Sequence, residues 1–163
     1  MGILIRGGRV VDAAAQIDKI ADVYLDDGVI QKVGEKLEAK DKDDKIIDAK
    51  GLVVMPGLVD LHVHFRDPGQ TEKEDIESGS HAAASVTTVV AMPNTTPVID
   101  SPDRANYVKN KAAQVSAIHV LQAGAMTKGE LGEELSDIAG MAAAGVPVLS
   151  EDGKSVMKAS LCK

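Results

Sequence analysis

The sequence predicts an α/β protein: a small β-rich domain over residues 1–55, followed over 56–163 by repeated strand–helix units. Short β-branched and aliphatic runs separated by turn residues fill the first stretch. After Pro56-Gly57 the rhythm becomes strand, helix, strand, helix. Parallel strands need a crossover between them and helices supply it, so the second stretch implies a parallel sheet.

In the β-rich stretch, Ile3-Leu4-Ile5 and Arg9-Val10-Val11 read as two short strands separated by Gly7-Gly8. Ala21 to Leu25 and Val29 to Val33 flank Asp27-Gly28, a tight-turn dipeptide, and predict a hairpin. Lys40 to Lys45 predicts an exposed turn, and Ile46-Ile47-Asp48 and Leu52-Val53-Val54 add further strands.

Beyond Pro56, Leu58 to Phe65 is an apolar strand interrupted by two histidines. Thr71-Glu72-Lys73-Glu74 has capping-box spacing and predicts a helix to about Ala84. Thr87 to Met92 is a second buried strand. Ser101-Pro102 opens a helix with Ala105, Val108, Ala112 and Val115 on its apolar face. Ala117 to Leu121 is a third strand. Leu131, Leu135, Ile138 and Ala142 predict a third helix ended by Gly145, and Val146 to Leu149 a fourth strand.

Composition narrows the function. A formal net charge of −7 disfavours nucleic acid and anionic membrane surfaces as partners, since both attract cations. No apolar run reaches the roughly 18–20 residues of a membrane span. The start of the chain lacks a signal-peptide core, and the single cysteine, Cys162, fits a reducing compartment, so the expected location is the cytoplasm. Cys162 itself reads as an inert thiol.

The strongest local signal is His62-Val63-His64. Side chains alternate across a strand, so both imidazoles face one way and could hold one metal ion from a rigid support. The plain alternative is two histidines on a half-exposed strand. The apolar surroundings weigh against it, because unpartnered buried imidazoles are costly. Arg66 continues the same face. Asn94 follows the second strand and Asp152 the fourth; alone, each is as readily a turn residue. If the strands form a βα barrel, all five residues lie at strand C-terminal ends, where chemistry collects. His81 reads as a helix-surface residue and His119 as a core histidine.

Pro56-Gly57-Leu58-Val59-Asp60-Leu61-His62-Val63-His64-Phe65-Arg66-Asp67-Pro68-Gly69 closely resembles the signature of type I dihydroorotases of the amidohydrolase superfamily. Lys73 to Gly79, Ala91-Met92-Pro93-Asn94-Thr95 and Ser150-Glu151-Asp152-Gly153 continue the match. The resemblance implies a (β/α)8 TIM-type barrel preceded by a small β-domain. It implies zinc-dependent interconversion of dihydroorotate and N-carbamoyl-aspartate in pyrimidine synthesis. It implies His62, His64 and Asp152 as ligands of one or two zinc ions, and His64, Arg66 and Asn94 as contacts to the anionic substrate. Zinc suits such chemistry because it lowers the pKa of bound water to about 7. A planar guanidinium suits a carboxylate because it donates two parallel hydrogen bonds.

Three departures qualify the resemblance. Residues 56–163 hold three βα units and a fourth strand, whereas a full barrel takes about 250 residues. The family's two further histidine ligands and its late catalytic aspartate have no counterpart, so no catalytic base is identifiable. The expectation is an incomplete barrel, inactive alone, with a homo-oligomer, a missing C-terminal chain or an aspartate transcarbamoylase as possible partners. The Ala84-Ser85-Val86 stretch is shorter than the family's usual Gly-Gly connection, and Glu151 stands where an aspartate is usual. The alternatives are a non-catalytic fragment or assembly module, or a related hydantoinase or allantoinase. The latter tend to bridge their metals with a carboxylated lysine, whereas Asp152 and Arg66 favour dihydroorotase.

Overall fold

The computed structural model describes residues 2–83 and 86–161. The chain divides into two compact units, Met1–Pro56 and Gly57–Lys163. The shortened stretch at Ala84-Ser85 and the thiol of Cys162 lie outside the described residues.

The first unit is a sheet of five strands: β1 (Ile3–Asp12), β2 (Ile17–Asp26), β3 (Val29–Gly34), β4 (Lys45–Asp48) and β5 (Val53–Val54). Its order is β3-β2-β1-β4, with β5 also pairing β1. Asp27 and Gly28 carry φ of 50° and 72°, the primed turn whose twist matches the flanking strands. The two runs expected on either side of Gly7-Gly8 are one strand. The β1–β2 register shifts between Ile5 and Gly8, so a bulge absorbs the glycines without ending the pairing. Val10, Ala21 and Val23 form a small buried cluster, with Ile5, Ile17, Leu25, Val33 and Val54 packed against it.

Two carboxylates hold this unit's loops. Asp22, 5% exposed, accepts the amides of Gly7 at 2.7 Å and Leu37 at 2.9 Å. Asp44 accepts the amides of Gly2, Lys40 and Asp41 and the Tyr24 hydroxyl, all at 2.7–3.0 Å. Those amides hold the Asp44 carboxyl below the usual aspartate range. Burial, then the bond to Asp44, pushes the Tyr24 phenol up to about 12.

In the second unit, β6 (Val59–Val63), β7 (Thr88–Ala91) and β8 (His119–Gln122) form a parallel sheet in the order β6-β7-β8. Beyond Ala123, β9 (Gly124–Ala125) pairs in parallel with β10 (Leu149–Ser150). Helices α1 (Ile76–Ala82), α2 (Pro102–Val115) and α3 (Ile138–Ala143) intervene, so the unit is α/β. Val89 and Ala91 of β7 pack with Phe65, Ile76, Ile99, Ala105, Val108 and Ala112 as the principal core. Ile76 and Ile99 are fully buried, each worth about 1.5–3 kcal/mol relative to exposure.

Several expectations need correcting. The first helix begins after Asp75, not Thr71. Asp75 accepts the Ser78 amide at 2.8 Å while Ser78 Oγ accepts the Asp75 amide, so the reciprocal cap forms four residues later. Ser101 precedes α2 as expected but makes no side-chain capping bond. The third helix begins only at Ile138; Leu131 and Leu135 lie outside it and are exposed. Ser136 Oγ donates to Ala125 O at 2.5 Å and Asp137 caps Gly140 N at 2.9 Å, which stops the helix from extending backward. The fourth strand is Leu149–Ser150, slightly later than Val146 to Leu149. His119 is exposed at the start of β8, not a core residue. His81 is exposed on α1. Among the described residues, no helix is long and apolar enough to cross a membrane.

Candidate metal centre

His62 lies on β6 and His64 one residue past its end, so strand alternation sends both rings to one side. Their Nε2 atoms are 3.3 Å apart, with ring planes at 73°. Asp152, in the turn after β10, completes the group: Oδ1 is 3.4 Å from His62 Nε2 and Oδ2 is 3.4 Å from His64 Nε2. The three side chains each offer one ligand atom within 4.8 Å of the others. Sequence separations of 88 and 90 residues are thereby closed by the parallel strand ends.

Asn94, after β7, links two of these residues. Its Nδ2 donates to Asp152 Oδ2 at 2.6 Å, so its Oδ1 faces His64 Nδ1 at 3.0 Å and accepts from it. With Nδ1 donating, Nε2 of His64 is the nitrogen whose lone pair is free for ligation.

The donor set fits a small divalent cation. Zinc takes imidazole nitrogen and carboxylate oxygen at about 2.0–2.1 Å, and a tetrahedron of that size has edges of about 3.3–3.4 Å. The observed separations are 3.3, 3.4 and 3.4 Å. His62 is the most open of the three, with 56% of its side chain exposed against 27% for His64 and 18% for Asp152.

Arg66 lies just beyond the pair, with φ of +56°. Its side chain is half-buried and makes no hydrogen bond or ion pair among the described residues. Its loop is tied down on both sides. Arg66 O accepts the Gln70 amide at 2.9 Å, and Pro68 O accepts the Thr96 amide at 3.1 Å. Gly69 has φ of +89°, and a Cβ there would lie 1.7 Å from Thr96 O, so only glycine permits this approach of the Arg66 and Asn94 loops.

Three neighbours have contacts that the sequence does not disclose. Asp67, 3% exposed, accepts the Tyr107 hydroxyl at 3.0 Å and pairs with Lys111 at 2.5 Å, pinning the Arg66 loop to α2. That bond to Asp67 holds the Lys111 amine above its ordinary value. Glu151, 6% exposed, accepts the amides of Met126 at 3.0 Å and Thr127 at 3.1 Å and the Thr127 hydroxyl. Glu130 is 4% exposed; burial pushes its carboxyl up, with Lys154 opposing and Glu151 and Asp152 adding to the shift. The partners of Asp67 lie 40 and 44 residues along the chain, and no local signal announces them.

Residues 51–163 match the family model described as dihydro-orotase-like. The chain belongs to the dihydroorotase-like family. It is 50% identical over 161 residues to a dihydroorotase of Clostridioides difficile, covering 98% of this chain and 38% of that protein. To a dihydroorotase of Citrifermentans bemidjiense it is 46% identical over 165 residues, covering 100% of this chain and 39% of the relative. The chain thus spans under two-fifths of the length of these curated relatives. Among solved structures, it is similar to an L-hydantoinase from Arthrobacter aurescens, with TM-score 0.66 and 26% identity over 78% of this chain and 29% of that one. It is similar also to a D-hydantoinase, with TM-score 0.64 and 32% identity over 77% and 27%.

Proposed function

We propose that this chain carries the first metal-binding and substrate-carboxylate-binding part of a dihydroorotase, a hydrolase of cyclic amides acting between dihydroorotate and N-carbamoyl-aspartate in pyrimidine synthesis. The observation that carries this reading is the meeting of His62, His64 and Asp152 at separations suited to one tetrahedral cation. Family membership and dihydroorotase relatives at 46–50% identity support it. On this reading residues 56–163 are the first three βα units and fourth strand of a (β/α)8 barrel, and residues 1–55 a small β-domain. Its setting is the cytoplasm.

His62, His64 and Asp152 would hold zinc. A bound zinc ion supplies Lewis acidity toward the amide carbonyl and an acidified water. The chain's own residues do the rest. Asn94 fixes the His64 tautomer and orients Asp152. Arg66, whose guanidinium is uncommitted among the described residues, takes the substrate carboxylate as a two-pronged donor. Asn94 keeps a second Nδ2 hydrogen, beyond the one on Asp152, to offer that carboxylate. The family's two later histidines and catalytic aspartate have no counterpart among these residues, so turnover needs groups beyond them. A complementary chain would supply those groups, whereas further copies of this chain or an aspartate transcarbamoylase would be assembly partners that do not.

The test is metal analysis of the purified chain after zinc loading and dialysis. Zinc retained by the wild type and lost in His62→Ala and Asp152→Ala supports the reading; no retained zinc overturns it. With zinc bound, the chain alone is expected not to turn over dihydroorotate, and measurable metal-dependent conversion would refute that part. A second reading, a related cyclic amidase, is favoured by the likeness to hydantoinases. Arg66→Lys separates the two: it weakens binding of carboxylate-bearing dihydroorotate and leaves binding of a hydantoin, which lacks that carboxylate, unchanged.

A further inference from the structure

Asp152 has little regular structure to fix it. Strand β10 ends at Ser150, two residues before it, and pairs only with the two residues of β9 among the described strands. The following turn is closed by the Lys154 amide donating to Glu151 O at 2.9 Å, with Gly153 at φ +76°. Yet Asp152 must stand within about half an ångström of its place for three ligand atoms to meet.

Glu151 supplies what the strand does not. Asp152 faces the histidines while Glu151 is buried against the loop after β9. Its Oε2 accepts the amides of Met126 and Thr127 at 3.0 and 3.1 Å, and its Oε1 accepts the Thr127 hydroxyl. The receiving loop is itself held. Thr127 is fully buried, its Oγ1 accepts the Gly132 amide at 2.9 Å, and it bridges Leu135; Met126 O accepts the Ser136 amide at 3.0 Å. A buried carboxylate with three donors is a stiff anchor, and breaking it leaves those donors unpaired.

We infer that Glu151 is the positioning residue of the metal centre: its carboxylate, clamped on Met126 and Thr127, sets where Asp152 meets His62 and His64. This rests on the metal-centre reading above. The resemblance has aspartate at this place; glutamate is longer by one methylene, about 1.5 Å, and here spans the gap to both amides.

The experiment is a cobalt titration of the purified 163-residue chain, followed in the visible d–d bands, for wild type, Glu151→Gln, Glu151→Asp, Thr127→Val and His64→Ala. Glu151→Gln is expected to weaken cobalt about tenfold or more and to change the intensity and position of the bands at saturating cobalt. Glu151→Asp keeps the charge and falls between Gln and wild type. Thr127→Val, which loses one of the three donors, gives a smaller change in the same direction. A merely structural role would lower thermal stability and leave the saturated spectrum as in wild type, and that result overturns the inference. Should Glu151→Gln fail to fold by circular dichroism, Thr127→Val decides: affinity and spectrum both unchanged overturn it. A wild type that binds no cobalt, or a His64→Ala that binds it equally, removes the metal centre itself and this inference with it.

Discussion

Asp44 in the first unit and Asp152 in the second are both partly buried carboxylates, and they are provided for in opposite ways. Asp44 is saturated, with three backbone amides and one phenol filling its oxygens. Among the described residues Asp152 receives one hydrogen bond, from Asn94, and turns both oxygens toward imidazole nitrogens. The first arrangement closes a loop; the second leaves coordination capacity unspent at one point. A carboxylate whose oxygens are taken up by the fold's own donors is an architectural part, whereas one gathered with other lone-pair donors is organised for a cation.

The sharpest way to break this contrast is to remove a ligand. His64→Ala or Asp152→Ala should weaken zinc beyond the roughly 10–100-fold that loss of an outer partner costs, measured by competition with a chromophoric chelator. Asp44→Ala should leave zinc affinity unchanged in the same assay. Next in size is Asn94→Ala, which frees His64 Nδ1 and one side of Asp152. It should cost about tenfold in zinc affinity, and an unchanged affinity would show that the His64 tautomer needs no partner. Asp44→Ala strands four donors at once and should lower the melting temperature by several degrees in calorimetry, while Asp152→Ala without metal should not. The smallest effect is expected from alkali. The folded chain holds the Tyr24 proton to about pH 12, whereas an unfolded tyrosine releases it near 10. The fold therefore binds more protons in that window, so stability is complete below pH 10 and drains as pH rises toward 12. Phenolate absorbance and urea midpoints recorded between pH 9 and 12 check both halves; a midpoint flat across this range contradicts the prediction.

Local chemistry was legible wherever a few adjacent residues decide it. Asp27-Gly28 announced its hairpin, Ser101-Pro102 its helix, and His62-Val63-His64 two rings on one side, because each depends on short-range sterics or strand alternation. Local pattern failed where a nearby competitor won. Thr71-Glu74 and Asp75-Ser78 both have cap chemistry, and the second pair took the helix start. Leu131 and Leu135 carry helical spacing, yet Gly129 and Glu130 have positive φ and Ser136 bonds across to Ala125, so the helix waits until Ile138. The holding of the centre was not legible at all. Glu151 on Met126 and Thr127, and Asp67 on Tyr107 and Lys111, are contacts across 24 to 44 residues that only the folded chain creates.

Strand β6 stands at the end of the order β6-β7-β8, and its ladder with β7 shifts between Asp60 and Val63. At that shift the His62 amide is taken by the Asp60 carboxylate at 3.0 Å. Leu61, beside it, is 70% exposed. The histidine pair thus sits on and just past an edge strand whose ladder is interrupted, and that strand should breathe. Deuterium uptake at Leu61, His62 and Val63 should be fast in the apo chain and slow sharply when a cation ties β6 to the turn carrying Asp152, so ion capture doubles as a staple across the sheet.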